Sequence, residues 1–299
     1  MTTFVNTPFG ALEGTEQDGV YRFLGVPFAE KPLGELRFRA PQMVRPWTET
    51  RQATGYEKDP MQANLVLGPE HYSEDCLYLN LWVPETTAKK LPVMVWVPGG
   101  AFATGGSGAV DPEGPSIYDC QQLAKDGGCI VVSISYRLNV FGFLNLSQFS
   151  SRFDDNIGMR DIIMALRWVQ EAIASFGGDP ENVTLVGESA GGEAISALLL
   201  IDEAKPYFHK AIIESNCFGS FYTQEEEREI CELYLQYAGL TADKAEGLLT
   251  LPYEKLIEAG RALDAYVAEH YTGRCSFCPV VDGTFLRDFP TLADFSGLD

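Results

Sequence analysis

A serine flanked by glycines stands past the middle of the chain, in the segment Gly187-Glu188-Ser189-Ala190-Gly191. The segment fits the pattern G-x-S-x-G, in which a sharp turn from a strand to a helix holds the serine oxygen clear of the backbone. Small neighbours avoid clashes in that strained turn. A serine presented in this way serves as the nucleophile in acyl transfer, so Ser189 is the candidate catalytic residue.

The residues on either side of Ser189 have the patterns that such a turn requires. Residues 182–186 predict a strand, and residues 192–200 predict a helix. The helix N-terminus would direct free N–H groups and a partial positive charge toward the serine, where a tetrahedral intermediate carries an oxyanion. The N–H of Ala190 is therefore predicted to be the first oxyanion donor.

A second glycine-rich segment follows an apolar run earlier in the chain. Residues 93–97 predict a strand, and residues 98–106 after it read PGGAFATGG. Glycines let the main chain approach a reacting carbonyl, so this loop is predicted to supply further N–H donors. The alternative is a plain flexible loop, because paired glycines are common in turns.

The elements that would position these segments alternate along the chain. Strands are predicted at 93–97, 130–135, 183–187 and 211–214, and helices at 116–125, 158–175 and 191–200. This βαβα order indicates an α/β fold with a mostly parallel sheet, in which ligands gather at the carboxyl ends of the strands. Residues 77–83 alternate like a half-buried strand and are predicted to form an edge of the sheet.

The chain is predicted to form a single incomplete domain over residues 1–299. Residues 1–90 would be N-terminal edge strands and covering loops, residues 91–215 the core βαβ units with both glycine-rich segments, and residues 216–299 a helical insertion and the start of a C-terminal part. Within the last part, residues 223–270 read as two or three amphipathic helices broken at Gly239 and Pro252. These helices would either pack as core or line a substrate pocket.

Composition excludes several other classes of protein. The chain is 45% hydrophobic and 21% charged, as in ordinary globular proteins, and its net charge of −20 would repel nucleic acid. No stretch reaches the roughly 18 apolar residues of a membrane span, and the N-terminus has no signal-peptide pattern. These features predict a cytoplasmic protein.

Seven cysteines, an odd number, predict free thiols in that compartment. Cys275 and Cys278 form a lone C-x-x-C pair without a second pair or a histidine at metal spacing, so no metal site is predicted. The serine chemistry requires no cofactor.

Several longer segments resemble the type-B carboxylesterase family of the α/β-hydrolase superfamily, including its bacterial para-nitrobenzyl-esterase-like members. The serine segment FGGDPENVTLVGESAGG, at 176–192, and EDCLYLN, at 74–80, are similar to family signatures. Further segments agree in order and spacing: FLGVPFAEKPLGELRF, PVMVWVPGG, SISYRLNVFGFL, NIGMRDIIMALRWVQEAIASFGGDP, FHKAIIES and PVVDGTFL. The resemblance extends from Phe9 to Phe289.

The resemblance implies an α/β-hydrolase fold and hydrolysis of a small hydrophobic carboxylic ester. It implies Ser189 as the acyl-accepting nucleophile and an oxyanion hole formed by the N–H groups of Gly100, Ala101 and Ala190. The family loop has His or Tyr before three glycines, whereas this chain has Pro98 and a methyl group at Ala101. That methyl group would narrow the acyl or alcohol pocket, or be strained if the loop needs φ > 0.

The resemblance also implies two structural ion pairs, Arg37 with Glu74 and Arg137 with Asp161, which would brace loops. Residue types alone would leave each of these as a solvated surface charge. In extracellular members the cysteine of EDCLYLN pairs with an upstream cysteine, but Cys76 is the first cysteine here. That disulfide is therefore not expected.

The acid and base of the catalytic triad are expected to be absent from this chain. In the α/β-hydrolase order both follow the serine, and in the family both follow the segment resembling PVVDGTFL. His209 directly precedes the strand at 211–214, which places it at the amino end of the sheet, and His270 ends an inserted helix. The chain is thus expected to be truncated at the C-terminus and nearly inert alone.

Three alternatives to this hydrolase prediction stay open. The same site could pass its acyl group to an alcohol instead of water. The fold also serves as a non-catalytic cholinesterase-like adhesion or binding module. Finally, the chain could be an inactive truncated fragment.

Overall fold

The computed structural model describes residues 3–108, 118–216, 219–271 and 273–295. The strands in chain order are β1 Phe4–Thr7, β2 Gly10–Glu13, β3 Thr15–Gln17, β4 Val20–Pro27, β5 Arg51–Gln52, β6 Asp59–Pro60, β7 Tyr72–Ser73, β8 Tyr78–Pro84, β9 Leu91–Val97, β10 Ile130–Ile134, β11 Gly178–Glu188, β12 Lys210–Glu214, β13 Tyr222–Thr223 and β14 Val280–Val281. The helices are α1 Gln121–Gly127, α2 Asn139–Phe143, α3 Ile157–Ala172, α4 Ala190–Leu198, α5 Gln224–Tyr237 and α6 Tyr253–His270.

Seven strands form the central sheet, in the order β12-β11-β9-β10-β8-β4-β3. The four strands β12, β11, β9 and β10 run parallel, whereas β8, β4 and β3 continue the sheet through antiparallel pairs. The predicted α/β fold is confirmed. The carboxyl ends of β9 and β11 lie side by side, because Val97, the last residue of β9, pairs with Gly187, the last but one of β11. The two glycine-rich segments that follow these strands therefore begin at the same edge.

The prediction that residues 77–83 form a sheet edge is wrong. Strand β8 lies between β10 and β4, and all seven of its residues are buried. The misleading alternation comes from polar or aromatic residues that have partners inside the protein. Asn80 is only 2% exposed, accepts the N–H of Gly25 at 2.8 Å and donates to the carbonyl of Ser107 at 2.9 Å. From sequence alone, a buried asparagine whose hydrogen bonds are made inside the protein cannot be distinguished from one that faces solvent.

Helices cover both faces of the sheet. Helix α3 buries eleven of its sixteen residues, and nine of them, Trp168 included, belong to the larger apolar cluster. Helix α1 covers the opposite face, where Ala124 packs with Trp82 and Val131. The predicted helix at 116–125 begins only at Gln121, whose N–H is held by the side chain of Asp119, and residues 116–117 lie outside the described residues.

Residues 224–270 form three helical pieces, as the sequence predicted at the coarse level. Helix α5 ends before Gly239, which has a φ of 76°, and Pro252 is the N-cap of α6. A 3-10 segment, Ala242–Leu249, lies between them. The apolar faces of α5 and α6 belong to the larger apolar cluster, with Tyr234 and Leu256 buried there. Across the described ranges, no helix has both the length and the apolar character needed to span a bilayer.

Candidate active site

Ser189 occupies a strained turn between β11 and α4. Its φ of 54° and ψ of −122° lie outside the regions that L-residues normally adopt. Two backbone bonds hold this conformation: the serine N–H donates to the carbonyl of Glu214 at 2.9 Å, and its carbonyl accepts the N–H of Glu193 at 2.9 Å. The turn is thus fixed by the neighbouring strand and by the first turn of the helix.

The glycines around Ser189 are there because no side chain would fit. A Cβ atom built on Gly187 would lie 2.6 Å from the carbonyl carbon of Gly191, and one built on Gly191 would lie 2.1 Å from the carbonyl oxygen of Val97. Contacts below about 3 Å do not occur between real Cβ atoms and other heavy atoms. The strand β9, the strand β11 and helix α4 therefore meet with only backbone between them.

The loop after β9 lies against the serine. A Cβ atom built on Gly99 would be 3.3 Å from the Cβ atom of Ser189 and 2.5 Å from the carbonyl oxygen of Glu188. The loop turns through three consecutive residues with positive φ: Gly100 at 112°, Ala101 at 54° and Phe102 at 56°. For the two L-residues this left-handed conformation is costly, so the loop depends on its surroundings.

Three backbone N–H groups near this contact point have no acceptor among the residues that the structure describes. Within residues 3–108, 118–216, 219–271 and 273–295, the N–H groups of Gly100, Ala101 and Ala190 donate no hydrogen bond. Ala190 is the first residue of α4, where the unsatisfied N–H groups and the helix dipole favour negative charge. In the same described part, the hydroxyl of Ser189 makes no hydrogen bond and is partly exposed. The edge therefore offers a hydroxyl and N–H donors to a ligand.

Among the described residues, no histidine forms a hydrogen bond with Ser189. The backbone N–H of His209 donates to the carbonyl of Val183 at 2.9 Å, and its Nδ1 accepts the N–H of Val183 at 3.3 Å. Val183 lies six strand residues before Ser189, which is roughly 20 Å at about 3.3 Å per residue. His270 bonds and stacks on Tyr266 of its own helix, and His71 lies 3.7 Å from Glu70.

A buried tyrosine that sequence reasoning missed supports the loop through a hydrogen bond. The hydroxyl of Tyr136 donates to the carbonyl of Pro98 at 2.7 Å. Burial raises the pKa of Tyr136, so the phenol stays protonated and keeps donating. In the sequence this residue is one aromatic among many in an apolar run, and periodicity gives no hint of its partner.

Two buried or half-buried ion pairs lie beside these elements. Asp161 of α3 accepts hydrogen bonds from Arg137 Nε at 2.8 Å, Nη2 at 2.6 Å and the backbone N–H at 3.0 Å. Arg37 binds Glu74 through both Nε and Nη2. Its remaining nitrogen donates to carbonyls of the segment before α6, at Leu248, Leu249 and Leu251. Each arginine thus connects distant parts of the chain.

A mixed sheet with four neighbouring parallel strands, covered by helices on both faces, and a serine in a strained turn from β11 to α4 define an α/β-hydrolase. The sequence model of the carboxylesterase family matches residues 1–294. The chain belongs to the carboxylesterase family.

Individual relatives agree with this assignment. The chain is 39% identical to para-nitrobenzyl esterase of Bacillus subtilis over 298 residues, covering 98% of this chain and 59% of the relative. It is 39% identical to human carboxylesterase 5A over 288 residues, covering 90% and 46%. The chain thus spans between 46% and 59% of the length of these two relatives.

Solved structures show the same likeness in three dimensions. A PNB esterase structure superposes with a TM-score of 0.88 at 39% identity, covering 97% of this chain and 60% of that one. A carboxylesterase of Geobacillus stearothermophilus superposes with a TM-score of 0.85 at 38% identity, covering 96% and 57%.

Proposed function

We propose that Ser189 is the nucleophile of a carboxylic ester hydrolase that works through an acyl-enzyme. One observation carries the proposal: the strained turn presents the serine hydroxyl directly beside a loop with unpaired N–H donors. A strained, unpartnered nucleophile next to preformed donors is an arrangement that proteins maintain for catalysis. Membership of the carboxylesterase family supports ester hydrolysis as the reaction.

The proposed reaction has two halves. In the first, Ser189 Oγ attacks the ester carbonyl while a base takes its proton, and the resulting oxyanion accepts hydrogen bonds from Gly100, Ala101 and Ala190. The intermediate collapses, the proton passes to the alkoxide, and the alcohol leaves. In the second half, water attacks the acyl-serine through the same intermediate geometry and releases the carboxylic acid. An alcohol in place of water would give acyl transfer instead.

We place the base and the acid of the triad outside these 299 residues. His71, His209 and His270 have partners on their own turn, on a neighbouring strand and on their own helix, respectively, and in the described residues none of them hydrogen-bonds to Ser189. Without a base the serine keeps only the weak nucleophilicity of an alcohol, and loss of a triad member costs several orders of magnitude in rate. The chain alone should therefore be nearly inert.

The substrate we propose is a small hydrophobic carboxylic ester. The net charge of −20 disfavours polyanionic substrates, and the name of the Bacillus subtilis relative describes an esterase for an aromatic, uncharged alcohol group. The methyl group of Ala101 is exposed at the edge of the loop, where it would contact one side of the bound ester. No cofactor enters the proposed reaction.

We propose the cytoplasm as the compartment of this protein. Cys76, Cys120, Cys129, Cys231 and Cys278 are free thiols, and Cys217 lies outside the described residues. Proteins that keep several cysteines reduced are typical of reducing compartments. Cell fractionation followed by thiol titration of the isolated protein would test this placement.

The function is tested by turnover of p-nitrophenyl acetate and butyrate. The proteins to compare are the 299-residue chain and a version extended into the downstream coding sequence, each with Ser189→Ala and with Ser150→Ala as a partly exposed serine control. Fluorophosphonate labelling, mapped by mass spectrometry, identifies the reactive residue.

We expect only the extended protein to turn over, with a label at Ser189 and no effect of Ser150→Ala. Turnover that survives Ser189→Ala would overturn the proposal, as would a binding partner captured by a protein whose serine never labels. Ser189-dependent turnover by the 299-residue chain would instead refute our placement of the base, and His270 would be mutated next.

A further inference from the structure

Residues 59–63 form hydrogen bonds with the glycine-rich loop of residues 98–106 and with Gly108 just after it. The side chain of Gln62 donates to the carbonyl of Gly105 at 2.6 Å, and the backbone N–H of Ala63 donates to the carbonyl of Ala103 at 3.1 Å. The carboxylate of Asp59 accepts the N–H of Gly108 at 3.0 Å. Residues forty or more positions away in sequence thus hold the loop.

The loop needs such external support. Its internal bonds are confined to one tight turn, in which Ala103 and Thr104 donate to the carbonyl of Gly100. Two of its L-residues, Ala101 and Phe102, have positive φ, a conformation that persists only when the surrounding structure determines it. Donors for a developing oxyanion must be held to within about half an ångström to be effective.

Gln62 donates to the carbonyl of Gly105, and the residue that lies between Gly105 and Ser189 is another glycine, which has only backbone atoms. A Cβ atom built on Gly105 would lie 2.4 Å from the carbonyl oxygen of Gly99, and one built on Gly99 would lie 3.3 Å from the Cβ atom of Ser189. Gly105 and Ser189 therefore both lie close to the backbone of Gly99, with no room for a side chain on either glycine. A displacement of Gly105 cannot be absorbed by a flexible side chain before it reaches the serine.

Gln62 is buried, and the backbone next to it is held in place by hydrogen bonds. Gln62 is only 7% exposed, and its amide reaches Gly105 near the end of the loop. The backbone beside it is also fixed, because the side chain of Asn139 donates to the carbonyl of Met61 at 2.7 Å while the Asn139 N–H donates to Phe102 at 2.7 Å. Asn139 thus joins the supporting segment to the loop from the other side.

We propose that Gln62 is a positioning residue of the esterase: its hydrogen bond to Gly105 fixes the glycine-rich loop at the distance from Ser189 that the oxyanion donors require. The proposal rests on the proposed function of Ser189. It assigns to Gln62 no contact with substrate. Its effect should appear in kcat and in loop dynamics, and KM should be largely unaffected.

The test replaces the amide by groups that cannot donate. Gln62→Met keeps the length of the side chain, Gln62→Leu keeps a branched end, and neither side chain can donate a hydrogen bond. Gln170→Met is the matched control, because Gln170 is also partly buried but lies on α3 beside Glu181, at the opposite end of β11 from Ser189.

Two readouts are measured on the extended protein. Hydrogen exchange by mass spectrometry follows the amides of residues 99–106 and, for comparison, those of β11. Steady-state hydrolysis of p-nitrophenyl butyrate gives kcat and KM, with Ser189→Ala measured in parallel.

In both Gln62 variants we expect exchange in residues 99–106 to be at least about fivefold faster with β11 unchanged, and kcat to fall about 10- to 100-fold at nearly constant KM. Gln170→Met should change neither. Unchanged exchange in residues 99–106 would overturn the proposal, and so would an unchanged kcat in a protein whose turnover depends on Ser189. Turnover that survives Ser189→Ala would remove the proposed function itself, and the positioning role with it.

Discussion

Arg137 and Asp161 bind each other through two side-chain hydrogen bonds of 2.8 and 2.6 Å, and their side chains are 4% and 0% exposed. The pair fastens the segment after β10 to helix α3. Removing one partner would leave the other charge buried without compensation. The loops at the carboxyl edge of the sheet thus depend on an ion pair that is shielded from solvent.

Replacing Asp161 with Ala should lower the free energy of unfolding by about 3–5 kcal/mol, because the guanidinium of Arg137 stays buried and unpaired. Urea denaturation followed by circular dichroism measures the change. Glu258→Gln is the matched control, since its pair with Lys255 has side chains 70% and 62% exposed and should be worth under about 1 kcal/mol. Equal losses in the two variants would contradict a special role for the buried pair.

A methyl group at Gly99 should disable the site while sparing most of the fold. Gly99→Ala places a Cβ atom 2.5 Å from the carbonyl of Glu188, which must push the loop and the serine turn apart. We expect kcat/KM of the extended protein to fall at least about 100-fold. Gly55→Ala, at a glycine with open space around it, is the control and should retain activity. A Gly99→Ala protein of normal activity would show that the loop does not have to touch the serine.

The conformation of Ser189 should carry a measurable stability cost. Glycine adopts φ of 54° and ψ of −122° without the steric penalty of an L-residue, whereas alanine does not. Ser189→Gly should therefore raise the free energy of unfolding by about 1 kcal/mol relative to Ser189→Ala, after the entropy of glycine in the unfolded chain is offset. Thermal unfolding of the two variants side by side gives the difference, and a less stable glycine variant would argue against strain.

Glu227 should make stability fall as the pH rises through neutrality. Burial raises the pKa of this carboxyl from 4.5 to about 8, against the hydrogen bonds from Asn145, which lower it. Between these values the folded protein holds a proton that the unfolded chain releases, so stability is lost with increasing pH. Asp155 repels the ionised form, and the nearby thiols of Cys231 and Cys278 have raised pKa values and stay neutral.

Glu227→Gln removes that titration and keeps the shape of the side chain. The free energy of unfolding of the variant minus that of the original protein should increase by roughly 3–5 kcal/mol between pH 4.5 and pH 8.5. Urea unfolding at a series of pH values measures this difference. A stability difference that is independent of pH would show that Glu227 ionises normally in the folded protein.

The parts of the site that depend on local sequence could be predicted from the sequence. The turn at Ser189 follows from a short apolar run, small residues and a helical pattern, all within about twenty positions, and the parallel strands follow from the same local rhythm. The polar contacts between residues far apart in the sequence could not be predicted in this way. Gln62 meets Gly105 across 43 positions of sequence, and Asn80 of β8 meets Ser107 across 27. Such partners are fixed by tertiary packing, which leaves no periodic signal.

Strand β12 is the outermost strand of the parallel side, and four of its five residues are exposed, with Ile212 43% exposed. The same strand supplies the Glu214 carbonyl that holds the N–H of Ser189. Within these 299 residues the strained serine turn is therefore anchored to an edge strand of the sheet. Local opening at a sheet margin costs less than cooperative unfolding, so on warming the amide of Ser189 should lose its protection from hydrogen exchange before the amides of the inner strands do.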